Sequence, residues 1–250
     1  MHLAGSSSVN GPGARSPGAW LGTRRLGLVL CFVAGAINAG GFLAIGQYTS
    51  HMTGIVSAMA DHLVLGNIAL VLAGLAALVL FLAGAATAAV LVRASRRRHL
   101  RSECAAPLLL EAGLLLLFGL LGRELGDYAW WRVPATALLL CFVMGLQNAM
   151  ITKLSRAEIR TTHVTGMVTD LGIELGKWCY WNAAGTEEPV RADRRRMLLL
   201  AGLLGMFFLG GVMGAIGFSQ VGFSATVPLA AVLIVMAVVT LRDGRLARGV

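Results

Sequence analysis

Charge is what this sequence has least of. Only 13% of its 250 residues are Asp, Glu, Lys or Arg, where a soluble domain carries about 25%. Such a chain has too few polar groups to cover a water-facing surface. Acidic residues are the scarcest, 12 against 21 Lys and Arg, which leaves a net charge of +9. The four cysteines (Cys31, Cys104, Cys141, Cys179) show no CxxC spacing. They read as small buried hydrophobes, and neither a disulfide nor a metal site is expected. There is no nucleotide-binding loop, no HExxH and no nucleophile elbow. Direct ATP drive and hydrolase chemistry are therefore disfavoured, no cofactor is expected, and the chain is expected not to be an enzyme.

What is present is apolar. The chain is 57% hydrophobic with a mean hydropathy of +0.76, and its long apolar runs predict an all-α, polytopic membrane helix bundle. The expected surroundings are a lipid bilayer. The basic excess reads as cytoplasmic loops rather than a nucleic-acid surface. Arg96-Arg97-Arg98 lies between apolar runs with no interleaved aromatics.

The chain repeats itself. Thr49-Ser50-His51-Met52-Thr53-Gly54 returns as Thr161-Thr162-His163-Val164-Thr165-Gly166, 112 residues later. From 49 to 56, five of eight positions are identical. Before each copy stands a second block. Cys31 to Ala39 aligns with Cys141 to Ala149 at a spacing of 110, with six of nine positions identical, including Gly35/Gly145 and Asn38/Asn148. Shared leucines arise by chance in an apolar chain. A shared Asn, His and Thr-x-Gly do not, so the sequence reads as a duplicated unit. Repeat one covers about 26–122 and repeat two about 134–241.

In chain order, residues 1–23 are rich in Gly, Ser and Pro and read as a disordered cytoplasmic tail. The spans expected are Leu26–Gly46, Ile68–Val92, Pro107–Leu121, Pro134–Ile151, Met197–Phe218 and Thr226–Leu241. A single membrane domain over 24–245 follows. Residues 122–133 form a loop whose Tyr128, Trp130 and Trp131 suit a membrane interface. The apolar pieces in 54–66 and 166–176 are too short to span.

Basic residues set the orientation. If Arg24/Arg25, the 93–101 loop, the 153–196 segment and both termini are cytoplasmic, 19 of 21 Lys and Arg lie inside. Only Arg123 and Arg132 lie outside. This requires the two short pieces to re-enter rather than cross. Each repeat then holds an odd number of spans, so the copies are inverted, an architecture that places transport sites between repeats. Short pieces lying flat on the surface, or fully crossing, are the alternatives.

The motif supplies what an unwound backbone needs inside a membrane. The hydroxyls of Thr49, Ser50 and Thr53, and of Thr161, Thr162 and Thr165, suit the cap of a helix starting near Gly54 or Gly166. Helix N-termini attract anions. His51 and His163 are then symmetry-related ionisable groups near the membrane interior. Two readings stand: a proton-linked or gating pair, or neutral rings that lock a turn. Asn38, Asn148 and Gln147 either line a path or tie helices together. Asp170 and Glu174 share a helical face and either sample the cytoplasmic mouth or are solvated. Glu111 is expected to pair with a loop Arg. Gly210 and Gly214 form a GxxxG, which suits close contact within the chain or in a homodimer.

The Gly35/Asn38 span followed by Ser50-His51-x-Thr53-Gly54, and its copy Gly145-x-x-Asn148 followed by Thr162-His163-x-Thr165-Gly166, resemble the YoaK-like family of bacterial membrane proteins, a domain of unknown function. The resemblance covers about 25–245 and implies a multi-pass inner-membrane protein of about six spans. It carries no established substrate. The family often has Asn after Thr-Gly, where this chain has Ile55 and Met167. From the residues themselves, the reading is a transporter or channel for a small solute or ion. Its site combines Asn38, Thr49, Ser50, His51, Thr53, Gly54, Gln147, Asn148, Thr161, Thr162, His163, Thr165 and Gly166. A structural or partner-binding subunit and an intramembrane enzyme are the rival classes.

Overall fold

The computed structural model describes residues 17–46, 48–100, 102–123, 132–155, 157–182 and 189–246. The helices are α1 (Pro17–Ile45), α2 (Met52–Val64), α3 (Ile68–Arg97), α4 (Ala105–Arg123), α5 (Arg132–Ser155), α6 (Val164–Cys179), α7 (Arg194–Val221) and α8 (Thr226–Leu246). No strand occurs among the described residues. Among the described residues, five apolar stretches are long enough to cross a bilayer. The last, Arg194–Asp243, contains both α7 and α8, separated by a 3-10 turn at Gly222–Ala225. Gly222 has φ +58 there, which favours glycine. Six helices of spanning length result, and α2 and α6 are the two short ones. At 13 and 16 residues they are only about 20 and 24 Å long.

The helix ends run past the apolar runs. α1 begins at Pro17, so residues 17–23 are helical rather than part of a flexible tail. Proline is tolerated at a first helical position, where no N–H partner is needed. α3 continues through Arg93, Arg96 and Arg97, because arginine is a good helix former whose stem can follow the apolar surface. Residues 1–16 and the aromatic segment 124–131 lie outside the described residues.

Four copies of Phe-x-x-Gly hold the bundle together. In α1 and α7 they are Phe32/Gly35 and Phe207/Gly210; in α3 and α5 they are Phe81/Gly84 and Phe142/Gly145. A Cβ on Gly35 would strike the Phe207 carbonyl, and one on Gly210 would strike that of Phe32. Gly84 meets Phe142 and Gly145 meets Phe81 in the same way. Bare glycine lets the backbones touch, which is how apolar helices associate when lipid offers no hydrophobic gain. Each repeat therefore packs its first span on the third helix of the other repeat. The matching offset is 126, from Phe81 to Phe207. The sequence also repeats Ala73-Gly74-Leu75 as Ala201-Gly202-Leu203, an echo of the earlier span, but that offset of 128 is not the structural register. Gly210 and Gly214 are spent on Phe32 and Ala36. That face packs within the chain, the first of the two contacts weighed above.

Contact order settles the direction of the repeats. Gln147 Nε2 of α5 donates to the Leu30 carbonyl of α1 at 3.2 Å, and Gly41 lies against Leu140. As numbers rise along α1 they fall along α5, so these equivalent spans are antiparallel. α1 and α7 run parallel, with Ala36 by Gly214 and Gly40 by Phe218. α4 and α8 are antiparallel, with Ser102 bonded to Thr240 and Gly122 against Phe223. With α1 and α5 antiparallel, an even number of helices crosses between them. α3 and α4 cross and α2 does not. The chain is a polytopic bundle of two inverted repeats.

Candidate functional site

Each motif folds back along the span that precedes it. Gly46, with φ +70, reverses the chain after α1, and Ala157, with φ +68, does so after α5. Ser50 Oγ then donates to Asn38 Oδ1 at 2.8 Å. In the second copy Asn148 Nδ2 donates to Thr162 Oγ1 at 2.6 Å and to the Met144 carbonyl at 3.0 Å. Asn148 Oδ1 accepts from Thr161 Oγ1 at 3.0 Å and from the Thr162 N–H at 3.3 Å. Both Asn residues lie about two turns, roughly 10 Å, short of their helix ends, Ile45 and Ser155.

From these points the short helices start at Met52 and Val164, two residues before the expected Gly54 and Gly166. The N-caps are His51 and His163, and neither side chain makes a capping hydrogen bond. The expectation of hydroxyl caps is corrected here, since Ser50 and Thr162 are held by Asn38 and Asn148 instead. Each His ring lies over the glycine three residues on. A Cβ at Gly54 would strike the His51 ring, and one at Gly166 the His163 ring. This explains the His-x-x-Gly pairing in both motifs. The first three N–H groups of each short helix have no intrahelical acceptor, and the first backbone bonds are Ile55 N–H to His51 and Met167 N–H to His163.

Both motifs line one cavity of about 690 Å³. Of the residues expected from sequence, Asn38, Ser50, His51, Thr53, Asn148, Thr162, His163 and Thr165 border it. Gly54 and Gly166 sit beneath the His rings. Thr49 and Thr161 are buried behind the lining. Thr161 is bonded to Asn148, while Thr49 Oγ1 has no partner among the described residues. Gln147 does not reach the cavity. It is fully buried and ties α5 to Leu30 of α1.

Sequence reasoning missed Tyr48, Met52, Phe81, Thr152, Arg160, Val164 and Phe207, which also line the space. A signal existed for some. Tyr48 and Arg160 stand at equivalent positions one residue before each motif, 112 apart, and Phe81 and Phe207 belong to the Phe-x-x-Gly repeats. Tyr48 follows α1, where it stacks on Phe42 at 4.4 Å. Arg160 follows the antiparallel α5. An aromatic group therefore marks one end of the cavity, and a cation marks the other.

α2 and α6 point in opposite directions. α2 turns back through Gly66, φ +75, to pack on α3 with Met59 against Gly74. α6 is clamped antiparallel to α7 by Asp170–Arg196 at 2.9 Å and by Glu174, whose carboxylate accepts from Lys177 Nζ and the Asp193 N–H, both at 2.8 Å. Asp170 and Glu174 are thus structural ties. Two short helices meet head to head at the cavity, and the partially positive ends of both dipoles face it. Among the described residues, its lining carries one permanent cation, Arg160, two imidazoles and no carboxylate. Glu111 is fully buried in α4, and neither of its oxygens has a partner among the described residues. The expected pairing with a loop Arg is not made among the described residues.

A family model described as a protein of unknown function, DUF1275, matches residues 26–239. No curated protein and no solved structure matches the chain. With apolar helices of spanning length and a family match over most of its length, this chain is a multi-pass membrane protein that belongs to DUF1275.

Proposed function

We propose that the chain moves a small solute across the inner membrane of a bacterial cell through the cavity between its inverted repeats, with both termini cytoplasmic. One observation carries this reading. Two duplicated polar motifs enter from opposite faces and place two uncapped helix N-termini on one cavity of about 690 Å³. Irregular backbone at membrane depth is tolerated where it lines a water-filled space, and discontinuous helices at a repeat interface are how transporters hold solutes. The orientation rests on the excess of Lys and Arg in the loops assigned to the inside. His51 and His163 border the cavity and serve as gating or proton-linked groups in this reading.

The sign of the field narrows the solute. Helix N-termini and Arg160 raise the potential in the cavity, and no carboxylate among the described lining residues offsets them. Such fields exclude cations. Anions and small neutral polar molecules are the expected cargo. The test is flux in proteoliposomes for chloride, a small carboxylate, a small neutral polyol and potassium. Anion or polyol flux that falls in a His51→Ala/His163→Ala variant supports the proposal. An Arg160→Gln variant is expected to reduce anion flux more than polyol flux. Absence of flux for all four, or flux of potassium alone, overturns it.

A further inference from the structure

The repeats differ at one place. α2 joins α3 through Leu65, Gly66 and Asn67, a turn with no charged residue. The equivalent join between α6 and α7 runs from Tyr180 to Asp193 and carries Glu187, Glu188, Arg191 and Asp193, of which Arg191 lines the groove described next. Here a groove of about 740 Å³ opens between the end of α6 and the start of α7. One end is basic and aromatic, with Arg191, Arg194, Trp178 and Tyr180, and the other is apolar, with Leu198 and Ala201. Trp178 and Tyr180 are 73% and 60% exposed, large aromatic surfaces left mostly open by the described residues.

We infer that this groove binds the headgroup and upper acyl chain of an anionic phospholipid of the inner leaflet. The gradient along the groove, from cation through aromatic ring to aliphatic helix face, matches the gradient of such a lipid from phosphate through glycerol to chain. Tyr and Trp settle at the headgroup level of a bilayer, and basic pockets between helices on the cytoplasmic side take anionic headgroups. The charge is available. Lys177 is paired with Glu174, and Asp170 with Arg196. Arg191 and Arg194 have no carboxylate partner among the described residues. The groove's walls are fixed, because Glu174 bonds both Lys177 and the Asp193 N–H and so locks α6 to the first turn of α7. The lipid therefore grips the cytoplasmic end of the half-helix whose other end borders the central cavity.

The test is native mass spectrometry of the purified full chain in detergent holding equimolar phosphatidylglycerol and phosphatidylcholine. Phosphatidylglycerol is expected to be retained selectively. An Arg191→Gln/Arg194→Gln variant is expected to lose roughly 30-fold in retention, about five-fold for each side chain. Arg97→Gln/Arg98→Gln removes the same charge from the end of α3 and is expected to retain the lipid. Ala201→Phe leaves every charge and narrows the apolar end, and it is expected to weaken retention. All five positions are exposed, and unchanged melting curves confirm that the variants fold. Equal retention of both lipids overturns the inference. So does an equal loss in the Arg97/Arg98 variant, full retention in Ala201→Phe, or displacement of the lipid by millimolar inorganic phosphate.

Discussion

Asn148 and Asn38 occupy the same place in the two repeats, yet they do unequal work, and this difference can be measured. Asn148 takes part in four hydrogen bonds, to Met144, Thr161 and twice to Thr162. Asn38 accepts one, from Ser50. A net hydrogen bond contributes about 1 kcal/mol, and a buried group left without a partner costs more. Asn148→Ala strands Thr161, which is fully buried, and removes the tie that holds the start of α6. The expected loss is about 2–4 kcal/mol, against about 1 kcal/mol for Asn38→Ala. Unfolding of the purified protein in a single detergent, titrated with a denaturing surfactant, measures both. Equal losses, or a larger loss for Asn38→Ala, would refute the reading that the second motif is the more firmly anchored of the two.

Further outcomes follow from the same geometry. Gly35→Ala and Gly145→Ala push a methyl group into the Phe207 and Phe81 backbones, so each is expected to cost about 1–3 kcal/mol. Gly113→Ala in α4 meets nothing within 4 Å and is expected to stabilise by about 0.5–1 kcal/mol; thermal melts in which all three behave alike would refute the packing argument. Glu111→Leu removes a buried carboxyl that has no partner among the described residues and is expected to stabilise by about 1–3 kcal/mol; a loss in the same melts would show that the carboxyl is engaged. The hydrogen bond from Lys177, and then the one from the Asp193 N–H, hold the Glu174 carboxyl below its ordinary value of 4.5. Its stabilising contribution is therefore complete above pH 4.5 and is lost as pH falls through the lowered value. Proteolysis of the 180–193 connection is expected to quicken on acidification in the parent chain, and to lose that acid dependence in Glu174→Gln.

Much of this architecture is legible in the sequence because duplication writes it twice. The paired His-x-Thr-Gly motifs locate both half-helices, and the shared Asn locates the span each folds against. Apolar runs give all six long helices. The distribution of arginine gives the inversion before any contact is known. Other features are not visible along one strand of text. Phe-x-x-Gly is a weak pattern until four copies are seen to face each other, since its meaning lies in backbone contact between distant helices. Gln147 reads either as a path residue or as a tie between helices, and its rotation on α5, which turns it to Leu30, makes it the tie. Arg160 reads as one more loop cation, and only the fold-back after α5 brings it to the cavity. Hydroxyls beside a helix start suggest capping, yet a neighbouring Asn amide competes for them and wins.

The central claim is that two half-helices enter from opposite faces and meet at one cavity. Side-specific thiol labelling of cysteines introduced one at a time in intact bacterial cells tests it most directly, in a background where the exposed Cys179 is replaced by Ser and the buried Cys31, Cys104 and Cys141 by Ala. Cysteine is placed at Gly66, at Arg98 and at Trp181, at the far end of α2, α3 and α6 respectively. The account predicts that Gly66→Cys reacts from outside, while Arg98→Cys and Trp181→Cys are both protected until the membrane is opened. If Arg98→Cys and Trp181→Cys report opposite sides, a short helix crosses the membrane, and the shared cavity between inverted repeats is contradicted.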